Sequence, residues 1–132
     1  MSTQPNDKQY TIVLAEDDQL ISKACAEGLE EADFRVVTVD SGSDVVDVVK
    51  SEKPDILLLD LIMPIKTGFE VLKELREIKE FVELPIIIFS SLSRGDEIQK
   101  AVELGATDYI VKPRTALGDM VTKVNKYLPE RE

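Results

Sequence analysis

Four short apolar runs in this chain end in residues able to handle charge. Tyr10-Thr11-Ile12-Val13-Leu14-Ala15 gives way to Glu16-Asp17-Asp18, and Ile56-Leu57-Leu58-Leu59 to Asp60. Ile86-Ile87-Ile88-Phe89 ends in Ser90-Ser91, and Tyr109-Ile110-Val111 in Lys112-Pro113. If the acidic ends meet, they repel. Two unit charges about 4 Å apart cost roughly 1 kcal/mol in water and about 4 kcal/mol at a partly shielded site. A proton or a cation must relieve that, and carboxylate oxygens with water are what Mg²⁺ prefers. The chain has no histidine, so any metal should be a hard cation held by oxygen. Lys112 would add a compact second positive charge and Ser90 a hydrogen-bond donor. Asp60 then becomes a candidate nucleophile, since aspartyl phosphates are known covalent intermediates. Metal and lysine would stabilise the charge of a transferring phosphoryl group rather than make bonds to it.

The same residues have plainer readings. A Glu-Asp-Asp triplet is most often a solvated helix start whose carboxylates favour the helix dipole, and Asp18 suits an N-cap better than a ligand. Ser90 could be an ordinary strand terminus and Tyr109 a half-buried strand residue. Cys25 shares an apolar helical stripe and reads as core.

These residues need a scaffold that gathers strand ends. The apolar runs suit strands covered on both faces, as in a parallel sheet. Arg35-Val36-Val37-Thr38-Val39 mixes polar residues in and fits an edge. Helical patterns lie between the runs. Ile21, Ala24, Cys25, Gly28, Leu29 and Ala32 share one face, and Val45, Val46, Val48 and Val49 follow in the next stretch. Phe69, Val71, Leu72, Leu75 and Ile78 form a third pattern; Ile98, Ala101, Val102 and Leu104 a fourth. Capping-box spacing precedes three of these, at Ser41-Gly42-Ser43-Asp44, Thr67-Gly68-Phe69-Glu70 and Ser93-Arg94-Gly95-Asp96. A last helix is expected from about Ala116 to Tyr127, with Gly118 costing it about 1 kcal/mol relative to alanine. Five strand–helix units with right-handed crossovers make a doubly wound α/β fold with helices on both faces. The flavodoxin-like strand order 2-1-3-4-5 is the natural choice, with a ligand crevice between the first and third strands. The expected organisation is a polar leader at 1–9, one domain at 10–128 and a tail at 129–132.

The chain has 132 residues, 26 acidic against 16 basic, for a net charge of −10. That balance, with no basic arm or stripe, repels nucleic acid. One cysteine excludes an internal disulfide. No apolar run reaches the roughly 20 residues of a membrane span, and the N-terminus lacks a signal-peptide pattern. A cytoplasmic protein with no membrane insertion is expected.

The ordered set of strand-end residues resembles the response-regulator receiver (CheY-like) family, from about Thr11 to Tyr127. Glu16-Asp17 resembles the family's acidic pair, and Pro54-Asp55-Ile56-Leu57-Leu58-Leu59-Asp60 the approach to its phosphoacceptor. Met63-Pro64 and Gly68 follow at the usual distances. Ser90 matches the switch hydroxyl, Tyr109 the switch aromatic and Lys112-Pro113 the lysine before a cis peptide bond. The resemblance implies phosphoryl acceptance on Asp60 from a histidine kinase or histidine phosphotransferase. It implies Mg²⁺ held by Asp17, Asp60 and the backbone carbonyl of Ile62, with Glu16 close by through water. Ser90 and Lys112 would hold phosphoryl oxygens. Movement of Ser90 would let Tyr109 swing inward and reshape the fourth helix, fifth strand and fifth helix for docking to a target. Too few residues follow Pro113 for an output domain, so a stand-alone receiver is expected, either a monomer or a weak phosphorylation-dependent dimer.

Arg114 stands where the family usually has an apolar or aromatic residue. Ile62 and Leu92, two residues beyond Asp60 and Ser90, cannot orient water, which implies slow self-dephosphorylation. Other readings are a receiver-like scaffold that is never phosphorylated and a small aspartyl-phosphate phosphohydrolase. The haloacid-dehalogenase type of hydrolase needs a second Asp where Ile62 stands. A nucleotide or flavin module needs glycines, not Glu-Asp-Asp, after the first strand. The expected behaviour is that of a phosphoacceptor switch rather than an enzyme.

Overall fold

Runs that are apolar at every position need cover on both sides, and the chain provides it. The computed structural model describes residues 9–92, 94–112 and 117–129. Strands β1 (Thr11–Ala15), β2 (Arg35–Val39), β3 (Ile56–Leu59), β4 (Ile86–Ser90) and β5 (Asp108–Val111) alternate with five helices. These are α1 (Gln19–Glu31), α2 (Gly42–Glu52), α3 (Gly68–Arg76), α4 (Gly95–Glu103) and α5 (Leu117–Lys126), with a 3-10 turn at Lys79–Phe81. All pairings are parallel and the order is β2-β1-β3-β4-β5, the flavodoxin-like arrangement expected from the sequence.

Strand side chains alternate between faces even where every residue is apolar. Ile12, Leu14, Ile56, Leu58, Ile87, Phe89 and Ile110 pack with Cys25 and Leu29 of α1 and Met120 and Val124 of α5. Val13, Ala15, Leu57, Leu59, Ile86 and Ile88 face the other way, onto α2, α3 and Ala101 of α4. The mixed strand, β2, lies at one edge, as its polar residues indicate.

Helix starts follow the side chains that can satisfy free N–H groups. Asp18 caps α1, accepting from the Leu20 and Ile21 amides at 3.0 and 3.1 Å. Ser41 caps α2, and Thr67 with Glu70 forms a reciprocal box at α3. At α4 the cap position is Arg94, not Ser93, which lies outside the described residues. Glu97 reaches back to the Arg94 amide at 3.2 Å. Two other expectations shift. Ala24 and Val102 are exposed, whereas Ser22 is buried on α1. Helix α5 is held to β5 through Asp108, which accepts from the Tyr127 hydroxyl at 2.5 Å and pairs with Lys123 at 3.3 Å. The Tyr10 hydroxyl donates to the Pro129 carbonyl at 2.9 Å, tying the start of β1 to the chain beyond α5. The expectations for Pro113, Arg114, Ala116, leader residues 1–8 and residues 130–132 lie outside the described residues.

The β3–α3 loop carries one strained residue. Ile65 has φ of 73° and is 86% exposed. A β-branched residue in the left-handed region is a steric outlier, and burial offers Ile65 no offset. Ile65→Gly is therefore expected to stabilise the fold by about 1 kcal/mol, because relief of strain exceeds the added chain entropy of glycine. Urea denaturation checks this; a lower midpoint would show that the isoleucine side chain supports the turn instead.

Candidate functional site

Parallel register brings distant residues to one edge of the sheet. Ala15 pairs with Leu59, so Glu16 and Asp60 follow side by side, and the Asp60 amide donates to the Ala15 carbonyl at 3.0 Å. Ser90 pairs with Val111, and the Lys112 amide donates to the Ser90 carbonyl at 2.8 Å. Alternation then decides which face each side chain takes. Glu16 continues the Ile12, Leu14 series, Asp60 the Ile56, Leu58 series and Lys112 follows Ile110, so all three lie on the α1/α5 side.

The result is a cup of about 410 Å³ lined by Glu16, Asp17, Asp60, Ile62, Ser91 and Lys112. The Lys112 ammonium lies 3.1 Å from Asp60 Oδ2 and pairs with Glu16 Oε1. It also sits 4.8 Å from the centre of the Phe89 ring, in cation–π range. The second Glu16 oxygen accepts from the Asp18 amide at 3.0 Å. Asp60 Oδ1 accepts from the Ile62 amide at 3.1 Å. Glu16, Asp60 and Lys112 are largely buried, whereas Asp17 is exposed at the mouth.

Burial pushes the Glu16 carboxyl above its ordinary value, against the pull of Lys112 and the Asp18 amide. Burial alone would lower Lys112, but the Glu16 hydrogen bond and the charges of Asp60 and Glu16 outweigh it and hold the ammonium above its usual range. Lys112 is thus a fixed positive charge at neutral pH, and Glu16 is its buried counter-ion.

A hard cation fits the donor set. Glu16, Asp17 and Asp60 each present a carboxylate oxygen, and these atoms lie within 4.8 Å of one another. All three donors are oxygen, which suits Mg²⁺ rather than a thiophilic metal.

Ser90 stands apart from this cup. It continues the Ile86, Ile88 series and faces the α3/α4 side, completely buried, with its Oγ accepting from the Leu92 amide at 3.3 Å. Tyr109 is on that side too. Its hydroxyl donates to the Leu92 carbonyl at 2.7 Å. The aromatic ring is already turned inward, half-buried against the core. Ser91, exposed beside Ser90, lines the cup.

Reading strand ends alone missed Phe89, and Gly68 stood out only through the family resemblance. Phe89 is the last apolar residue of its run, yet alternation on β4 places it under Lys112, and that alternation was available in the sequence. Gly68 begins α3 against the backbone of Asp60. A Cβ there would lie 2.2 Å from the Asp60 carbonyl oxygen and 2.6 Å from Leu61 Cα. Only a residue without a side chain lets the helix approach so closely.

Comparison with known proteins agrees with this geometry. The profile of the response regulator receiver domain matches residues 12–125. The chain is 37% identical over 103 residues to the two-component response regulator ORR5 of rice, covering 76% of this chain and 77% of that protein. It resembles the BeF3-activated N-terminal receiver domain of Klebsiella pneumoniae RstA, with TM-score 0.84 and 31% identity over 91% of this chain and 99% of that one. The Vibrio cholerae chemotaxis protein CheY4 shares the fold, with TM-score 0.86 and 22% identity over 92% of this chain and all of that one.

Removing one partner of a buried ion pair leaves the other uncompensated. Lys112→Met is expected to cost about 3 kcal/mol of stability at neutral pH, and adding Glu16→Gln to return much of it. A urea double-mutant cycle without divalent cations reads this out; independent, additive effects would rule out the coupling.

Proposed function

Because the chain belongs to the response regulator receiver family, we propose that it accepts a phosphoryl group on Asp60 from a histidine kinase or a histidine phosphotransferase. The observation that carries this reading is the Lys112 ammonium 3.1 Å from the Asp60 carboxylate, beside two further acids. A carboxylate oxygen of Asp60 attacks phosphorus, the phosphorus–nitrogen bond of the donor phosphohistidine breaks, and the imidazole departs with its electron pair. Lys112 then exchanges its contact with Asp60 for a phosphoryl oxygen, while Glu16 keeps it anchored. The Ile62 amide holds the second Asp60 oxygen in place. Asp17, Asp60 and the Ile62 carbonyl would hold Mg²⁺, with Glu16 close by through water, and the ion would neutralise charge on the transferring group. The protein is a switch that assists its own phosphorylation and dephosphorylation, not a turnover enzyme.

The readout lies across the sheet. The Ser90 hydroxyl, one strand from Asp60, would move toward a phosphoryl oxygen and release the Leu92 amide. Tyr109, bonded to the Leu92 carbonyl, would follow that loop. The surface of α4, β5 and α5 would change with it and present a different face to a target protein. Helix α4 suits such a change because Ala101 is its one fully buried residue.

Incubation with Mg²⁺ and acetyl phosphate is expected to add one phosphate to the intact protein by mass spectrometry. The adduct should vanish in Asp60→Asn. Mg²⁺ alone should raise the melting temperature, and Asp17→Asn should blunt that rise. An adduct that survives Asp60→Asn would overturn the assignment.

The acyl phosphate should be long-lived, because the side chain of Ile62, 51% exposed at the cup mouth, can neither donate to nor accept from an attacking water. Ile62→Asn is expected to shorten its lifetime severalfold. An unchanged decay rate would remove that explanation.

A further inference from the structure

A lysine ammonium has three N–H groups. Lys112 donates to Glu16 Oε1 and to Asp60 Oδ2, the latter at 3.1 Å. Its third neighbour is an aromatic ring. The β4–β5 register pairs Phe89 with Ile110, so Lys112, two residues further along the chain, emerges on the same face as that ring. The Lys112 nitrogen lies over Phe89, 4.8 Å from the ring centre.

The surroundings set this contact apart from others of its kind. Among the described residues Lys100 lies over Phe69 and Lys126 over Tyr127, at 4.4 and 5.3 Å, but both lysines are exposed. Lys112 has 12% of its side chain exposed, and Phe89 is 5% exposed. The attraction of a cation to the negative face of a ring grows as water is withdrawn. Phe89 also belongs to the core layer that holds Ile110 and Met120. An aliphatic residue could fill that layer, but it could not attract an ammonium.

The ring matters when the other partners change. To grip an incoming phosphoryl oxygen, Lys112 must give up its hydrogen bond to Asp60. The ring face is a partner that the ammonium never has to surrender. As the bond to Asp60 is exchanged, Glu16 and the ring are left to hold the nitrogen. A charge held ready in this way costs little reorganisation as the reaction proceeds.

We propose that Phe89 is a positioning residue for phosphoryl transfer, its π face holding the Lys112 ammonium in place while that group passes from Asp60 to a phosphoryl oxygen. The assignment rests on phosphoryl acceptance at Asp60. The ring itself forms and breaks no covalent bond.

The test uses the full chain with phenylalanine rings carrying one, two or three fluorine atoms in place of Phe89. Such rings keep nearly the same shape while fluorine drains charge from the face. With Mg²⁺ and acetyl phosphate, mass spectrometry reads the rate at which the Asp60 adduct forms. That rate is expected to fall stepwise with each fluorine, to about fivefold slower with three. Phe89→Leu should slow it at least as much. Proton NMR without Mg²⁺ or donor reads the contact directly. The Lys112 ε-methylene protons should carry an upfield ring-current shift that the fluorinated chains keep and Phe89→Leu loses. Melting curves show which variants are folded, and the fluorinated chains carry the test if Phe89→Leu is not. An equal rate across the fluorinated series would overturn the assignment and leave Phe89 a space-filling residue. A native chain without the ring-current shift would do the same. If the native chain forms no adduct, phosphoryl acceptance fails and the positioning role falls with it, while the ring-current shift still reports the contact.

Discussion

The site depends on holding one ammonium among carboxylates that repel one another. Glu16 and Asp60 stand on adjacent strands, both largely buried, and the Lys112 side chain between them is what makes that burial tolerable. A fully buried carboxylate without a partner would neutralise or destabilise the fold. The β1–β3 and β4–β5 registers are therefore electrostatic requirements as well as hydrogen-bond ladders. A slip of one residue would put acids and lysine on opposite faces of the sheet. Phe89 adds a ring beneath the ammonium that keeps its position without competing for its hydrogen bonds.

Most of the fold was legible because each strand was written as an uninterrupted apolar run and each crossover as a helical stripe. The edge position of β2 could be read from Arg35 and Thr38. The gathering of Glu16, Asp17, Asp60 and Lys112 followed from parallel topology alone, since every C-terminal strand end lies on one side. Less legible were the features that depend on which face a residue takes. Ser90 and Lys112 both end strands, yet strand alternation sends them to opposite faces. Ala24 and Val102 matched their helical stripes and still face solvent, because neighbouring elements leave those flanks uncovered. Ser22 gave no signal in an apolar pattern, since a small hydroxyl fits a helix packed near a strand edge.

The segment after Asp60 is fixed from several directions. Gly68 packs on the Asp60 carbonyl and donates to Leu61 O at 2.9 Å, and Thr67 is locked by Glu70. Lys66 pairs with Glu74, and its carbonyl abuts Gly42 at the start of α2. Surrounding contacts of this number can hold Ile65 in its left-handed conformation. The loop that presents the Ile62 amide to Asp60 is thereby held on both flanks, which suits the acceptor role proposed for Asp60.

The placement of Ser90 and Tyr109 on the far side of the sheet from Lys112 has a consequence for how such a molecule diversifies. In the proposed function, chemistry would occupy one face of the sheet and the aromatic signal the other. Substitutions around α4 would then alter the docking face without touching the ammonium or its acids. A lineage can thus change its audience while its ignition stays the same.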